Sequence, residues 1–439
     1  MLIGRASCVG LAALLLLGAC GSRTGLIERE ALLPHDSAVD VPTPAVDTPT
    51  PAVDAPTPAP GCALRLLDGP TPAISHDGVD KGPWIAPALV FRDGAFDAVA
   101  TLLAEDDDTF SQARAMRFRY TPGAGFRVEV APRVLFAASG PTPTTAQDDA
   151  LALCRWPGAG GMAAEIVRYR APYERLPESR SYVGATGCAG LAAASDTLLL
   201  ATQIVVRSAL PEVWLARSDR GGSGIGSLGP ALVELPRAGV GVALVAHPDG
   251  RRYHFASAVR PGGFVDLGEI DAPAMGTVRR RRVGGFRYDA AVEGTAPAVV
   301  FLPDGDTLAM VSTARAGTHR LERVRLSDGA RSTLDLGTIA RAGSAPPALL
   351  VAPQGLLVAI VHGSESAPGS AELELVAVGA RAEVVTSRLR VPLPTAAPSG
   401  AATGVSLATD GAVIVAHWSG ATPLPQPLRQ TFLAAFDCR

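Results

Sequence analysis

The chain predicts an all-β protein assembled from repeated antiparallel hairpins. Downstream of Cys62, apolar residues alternate or run in short β-branched stretches bounded by Gly, Pro and Asp. A turn falls every ten residues or so, which is the strand signature. No stretch in this region carries the periodicity of an amphipathic helix. In addition, a unit of apolar strand, Gly-containing turn and second apolar strand recurs about every 50 residues.

The repeat is clearest in Val242–Gly250, Val299–Gly305, Leu349–Gly355 and Val405–Gly411. Glycine at each turn supplies the positive φ that tight hairpins need. Weaker copies lie at Phe91–Gly94 and Ala194–Thr197, and a degenerate copy falls between Arg133 and Trp156. A four-stranded unit with this period resembles the β-propeller superfold. The resemblance covers nearly all of Cys62–Arg439. The Gly-His and Trp-Asp signature of WD40 repeats and the glycine pairs of kelch repeats are both missing. The count is seven blades, with six or eight as alternatives.

The elements follow in order. One blade reads as strand a at Val299–Leu302, b at Thr307–Ser312, c at Arg320–Leu326 and d at Arg331–Leu336. Asp304-Gly305 joins a to b, and Ser327-Asp328-Gly329 joins c to d. The last blade supplies a (Val405–Ala408), b (Ala412–Trp418) and c (Phe432–Phe436), and the chain then ends. Its outer strand is expected from Cys62–Leu67, so that the two ends of the domain share one blade. Four cysteines outside the leader region, Cys62, Cys154, Cys188 and Cys438, allow three connectivities. Cys438 follows strand c and Cys62 opens strand d, so this topology pairs them. Cys154, near the end of a b strand, then pairs with Cys188 at the start of the next blade.

The N-terminal region carries targeting information. Arg5 is a short basic n-region, Val9–Leu17 an apolar h-region, and Leu17-Gly18-Ala19-Cys20 resembles the lipobox of bacterial lipoproteins. The apolar run is too short to span a bilayer. The resemblance implies a signal peptide over 1–19, cleavage before Cys20 and lipidation of Cys20. Several acyl chains at ~0.8 kcal/mol per buried CH₂ would make that anchor effectively permanent. Gly21 follows, rather than the Asp that retains many lipoproteins at the inner membrane, so the outer membrane is the expected location. Residues 20–61 then form a tether whose Pro-Thr-Pro-Ala repeats favour polyproline II. At ~3.1 Å per residue it reaches on the order of 100 Å. The domain expected to fold is 62–439.

Composition narrows the function. Lys81 is the single lysine, asparagine is absent, and the formal net charge is −3. Such arginine-dominated usage fits a high-GC bacterial genome, here a Gram-negative one. It shows no basic face for nucleic acid. The one basic cluster, Arg279–Arg282, reads as a solvated strand edge. There is no G-x-S-x-G nucleophile elbow and no phosphate-binding P-loop string. Gly221–Gly226 lacks the strand-then-helix context of a dinucleotide site, and no C-x-x-C or His–Cys spacing points to a metal. No cofactor is expected. Glu105–Asp108 and His76–Asp80 lack calcium-loop spacing and read as solvated loops. His247 and His254 read as solvated residues flanking an exposed turn.

In a propeller the b–c and d–a connections share one rim, here called the top. Trp84 ahead of the first a strand, Trp156 and Trp418 after b strands, and Trp214 opening a c strand are expected there. His362 and His417 are expected at matching b-strand ends. These six residues are the candidate binding surface, because aromatic side chains are enriched at interface hot spots and histidine serves many polar roles. The sequence supports a membrane-anchored lipoprotein presenting a non-catalytic propeller to an envelope protein or a glycan. The alternatives are a propeller enzyme acting on a polysaccharide, ester or lactone, and a spacer without a specific ligand.

Overall fold

The computed structural model describes residues 62–75, 84–102, 112–138, 142–147, 149–156, 163–177, 180–183, 187–194, 197–204, 212–219, 227–234, 242–247, 249, 251–259, 264–271, 279–287, 298–313, 318–339, 347–362, 372–393, 404–421 and 429–439. The expected signal peptide, Cys20, the tether, Glu105–Asp108, His76–Asp80 and Gly221–Gly226 lie outside them.

The described residues are β-strands and turns, with no helix. After the N-terminal strand β1 (Leu64–Ser75), the first blade comprises β2 (Trp84–Arg92), β3 (Ala95–Leu102), β4 (Gln112–Thr121) and β5 (Gly125–Ala137). The second holds β6 (Thr144–Gln147), β7 (Ala150–Arg155), β8 (Ala163–Arg170) and β10 (Arg180–Val183), with the short β9 (Glu174–Arg175) also on β8. The third is β11 (Gly187–Ala193), β12 (Thr197–Ile204), β13 (Glu212–Asp219) and β14 (Ser227–Glu234). The fourth is β15 (Val242–Ala246), β16 (Arg252–Val259), β17 (Phe264–Asp271) and β18 (Arg279–Arg287). The fifth is β19 (Ala298–Phe301), β20 (Thr307–Thr313), β21 (Thr318–Arg325) and β22 (Arg331–Ile339). The sixth is β23 (Ala348–Ala352), β24 (Gly355–His362), β25 (Glu372–Val378) and β26 (Val385–Pro392). The seventh holds β27 (Val405–Thr409), β28 (Ile414–Ala421) and β29 (Arg429–Cys438), and β1 is its outer strand.

This is a β-propeller. Every neighbouring pair is antiparallel, and the innermost strands meet in the order β2, β6, β11, β15, β19, β23, β27, with β27 meeting β2 again. The ring closes as the sequence suggests, but the closing strand is longer than Cys62–Leu67. It pairs with β29 from Leu64↔Cys438 to Ser75↔Gln430 through three register shifts. At one of them Gly69 has a φ of 96°, and a Cβ there would sit 2.5 Å from the Leu433 carbonyl oxygen. Only glycine lets β1 approach β29 so closely. The repeat turns also follow their chemistry. Asp93 and Gly94 both adopt positive φ between β2 and β3, as a two-residue hairpin turn demands.

The core is a series of seams between blades rather than one central cluster. Between the sixth and seventh blades Leu357, Leu375, Trp418, Phe432 and Phe436 pack together. Between the seventh and first lie Phe96, Met116, Phe118, Val415 and Leu433. Flat sheets with one residue in two facing each neighbour give this arrangement directly. Two disulfides, Cys62–Cys438 and Cys154–Cys188, pair as the topology implies. The first is framed by reciprocal main-chain hydrogen bonds between Ala63 and Arg439, at 2.6 and 3.1 Å. The second joins β7 of the second blade to β11 of the third.

Candidate functional site

Strands a and c run one way and b and d the other, so residues ending a b strand or opening a c strand stand at the top rim. Buried polar groups stand among the apolar seam residues at this rim as well as at the lower one.

The most elaborate polar group lies between the fifth and sixth blades. His362 ends β24, and Glu372 and Glu374 lie two residues apart on β25, hence on the same sheet face as Val376 and Val378. Glu374 is fully buried. It accepts from His362 Nε2 at 2.8 Å and Arg388 Nη1 at 2.6 Å, with Arg390 at 3.4 Å. Burial opposes its charge, but the His362 and Arg388 hydrogen bonds and the two guanidinium charges outweigh that and hold the carboxyl at about 2. Arg388 also donates to Thr338 Oγ1 at 2.6 Å and to the Leu336 carbonyl, crossing to the fifth blade. The buried His319 ring, from the top of β21, lies 6.4 Å from that of His362. Glu374 is therefore a fixed anion that holds Arg388, and Arg388 ties the sixth blade to the fifth. The His362 ring is nearly inaccessible, at 3 % side-chain exposure.

His417 is elsewhere. It sits inside β28, four residues before the end of the strand, and Nδ1 meets the Ala88 carbonyl of the first blade at 3.1 Å. Burial lowers its pKa to about 4, partly offset by that carbonyl. The expectation that His362 and His417 share matching strand ends therefore fails. One is terminal and faces the fifth blade; the other is internal and faces the first. The two do not converge on one substrate position.

The tryptophans divide likewise. Trp418 lies within β28 rather than after it. It is fully buried, stacks on Phe432 with centroids 5.9 Å apart, and belongs to the seam with the sixth blade. It is a core residue, contrary to the binding role expected for it, because strand b continues to Ala421. Trp156 directly follows β7 and packs half-buried against the cluster around Cys154 and Cys188. Trp84 is the first residue of β2 and Trp214 pairs with Thr202 in β13; their side chains lie outside the described residues. Those of Arg279–Arg282 do too, but the run does form the start of the outer strand β18.

Sequence reasoning missed the polar groups of the lower rim. Asp97, in β3, accepts from Arg92 Nε at 2.6 Å, Arg117 Nη1 at 2.8 Å and the Tyr173 hydroxyl at 2.8 Å, all buried. Burial, together with the Asp97 charge and hydrogen bond, raises the Tyr173 pKa well above the usual phenol range. His254 is buried on β16 against Glu269 at 3.3 Å, not solvated, and burial lowers its pKa to about 4. His247 packs edge-on against Phe301 and bonds the Gly305 carbonyl at 3.0 Å. The signal was present in the alternation: Asp97, His254 and Glu374 each fall in phase with core-facing neighbours on their strands. Among the described residues, no group of three or more His, Cys, Asp or Glu is placed to hold a metal ion.

No family model matches this chain, and no curated protein matches it significantly. Solved structures superpose on it in part. A puromycin hydrolase superposes with a TM-score of 0.46 at 16% identity, covering 82% of this chain and 55% of that one. A prolyl endopeptidase gives 0.46 at 18%, covering 80% and 47%. TolB from Acinetobacter baumannii gives 0.39 at 12%, covering 73% and 81%. The chain thus spans about half the length of the two hydrolytic enzymes, and its assignment to the β-propeller fold rests on its own strand order.

Proposed function

We propose that this protein is a lipid-anchored envelope propeller that presents its top rim to a protein or glycan partner without catalysing a reaction on it. The observation that carries the reading is the disulfide at the point where the chain enters the ring. Cys62–Cys438 fits an oxidising compartment outside the cytoplasm, as the Cys20 lipobox implies. Cys438 ends a c strand, so the disulfide lies at the lower rim, opposite the proposed binding surface. The separation of His362 and His417 into different seams supports a binding surface over an acid–base pair.

The anchor is tested with Cys20→Ser in the native host. Loss of fatty-acid labelling and release from the membrane fraction are expected, and unchanged membrane retention overturns the anchor. Binding is tested by photo-cross-linking from top-rim positions in intact envelopes. A discrete adduct sensitive to protease or to glycosidase names the partner class. Absence of any adduct from every top-rim position refutes the binding reading in favour of a spacer.

A further inference from the structure

The seam where the closing blade meets the first blade contains a second polar feature that the proposed function does not use. Four side chains of β27, β28 and β29 face the first blade in its upper half: Ser406, His417, Ser419 and Thr431. Pairing places Ser406 opposite His417 and Ser419 opposite Thr431. Two of the four are committed. Ser406 Oγ accepts from the Leu89 amide at 3.0 Å, and Thr431 Oγ1 accepts from the Ile74 amide at 3.0 Å. The other two are not: His417 Nε2 and Ser419 Oγ are buried and have no partner among the described residues, in residues 0% and 2% exposed.

The chemistry of His417 is fixed by its other nitrogen. A carbonyl oxygen only accepts, so Nδ1 carries the proton toward Ala88, and in the neutral ring Nε2 keeps a lone pair. That lone pair needs a donor. The Leu89 N–H of the facing strand is already given to Ser406. β2 is bulged between Ile85 and Ala88, and the displaced segment contains Pro87, which has no N–H. The two unpartnered groups stand two residues apart on one strand face, about 7 Å along the chain, opposite the bulge.

We infer that this bulged seam is a binding site for a small neutral hydrogen-bond donor, water in the free protein, which donates to His417 Nε2 and bonds Ser419 Oγ. A buried polar group without a partner costs roughly 1–3 kcal/mol, and internal waters ordinarily make two to four hydrogen bonds to such groups. The guest joins polar atoms of the closing blade beneath the first blade, so it is part of the ring closure itself.

The test uses the full-length protein with isotope-labelled histidine, the His417 resonances being assigned by their loss in His417→Gln. Nδ1 is expected to be protonated, and Nε2 to resonate between the free lone-pair and protonated positions. Ser419→Ala should shift the Nε2 signal without altering the fold. Water-oxygen relaxation dispersion should show one fewer long-lived internal water in Ser419→Val than in the parent. An Nε2 resonance at the free lone-pair position overturns the inference. So does a Ser419→Val protein that retains the full set of long-lived waters. Should Ser419→Val fail to fold, the Ser419→Ala shift decides alone, and an unmoved resonance refutes the shared guest.

Discussion

Replacing Asp97 by Asn probes how the propeller tolerates charge inside a seam. The Asp97 carboxylate is fully buried and faces the Arg92 and Arg117 side chains, only 1% and 5% exposed. It also accepts the Tyr173 hydroxyl. Asparagine preserves the volume but leaves two buried guanidiniums opposite a neutral amide that must also turn a donor toward one of them. Removing one partner of a buried pair typically costs 3–5 kcal/mol, and Arg92 and Arg117 would keep only longer carboxylate contacts, to the more exposed Asp93 and Glu129 at 3.6–4.0 Å. We expect a loss of about 4 kcal/mol in urea unfolding with the disulfides intact. Tyr173→Phe deletes one hydrogen bond to a charged acceptor and should lose about 2 kcal/mol. The double variant should lose less than the two combined, since both act on one carboxylate. Asp328→Asn, at the exposed turn between β21 and β22, is the control and should change stability little. A loss below about 1 kcal/mol for Asp97→Asn would refute the reasoning and mean that solvent reaches the seam.

Three further outcomes follow from the geometry. His417 is held neutral down to about pH 4 when folded but titrates near 6.5 when unfolded. The unfolded chain therefore binds a proton first, and stability present at neutral pH is lost as pH falls from 6.5 through 4. The loss is on the order of 3 kcal/mol; unfolding free energy against pH should be flatter over that window in His417→Gln, and an unchanged slope counts against burial of the ring. Replacing both Cys62 and Cys438 by Ser opens a covalent loop of sequence separation 376 and should cost about 6 kcal/mol in the chain-entropy model, read as a shift in thermal midpoint. Gly69→Ala should destabilise far more than Gly94→Ala. Both have positive φ, but only Gly69 faces backbone, whereas nothing lies within 4 Å of the position a Gly94 side chain would take. Comparable losses would mean that the cost is conformational and not steric.

The repeat made most of the fold legible. Asp304-Gly305 and Ser327-Asp328-Gly329 mark their turns because positive φ and side-chain capping are local chemistry. The closing strand and the Cys62–Cys438 pair followed from counting strands in the last blade. The seams were less legible. Asp97 and Tyr173 are 76 residues apart and meet only because adjacent blades stack in one particular register. Nothing near either residue encodes that register. The two register shifts in β1 between Leu66 and Thr71 likewise depend on how β29 runs beside it. His362 and His417 look equivalent because each falls six or seven residues after its turn glycine. The turns differ in length, Ala352 pairing directly with Gly355 whereas Thr409 reaches across four residues to Ile414, so similar counts end at different depths.

The disulfide at Cys62 also sets how the ring carries load. Any pull on the segment preceding Cys62 arrives first at a covalent bond and passes into Cys438 at the end of β29. Without that bond the same pull would act on the Leu64↔Cys438 pair and unzip β1 from β29 one rung at a time, which is the weakest direction in which to load an antiparallel ladder. With it, β1 lies behind the point of attachment and is shielded from tension. Force is delivered instead to a strand hydrogen-bonded on both sides, by β1 and by β28. In the seventh blade, the strand most exposed to peeling is thus the one that a pull on the segment before Cys62 cannot peel.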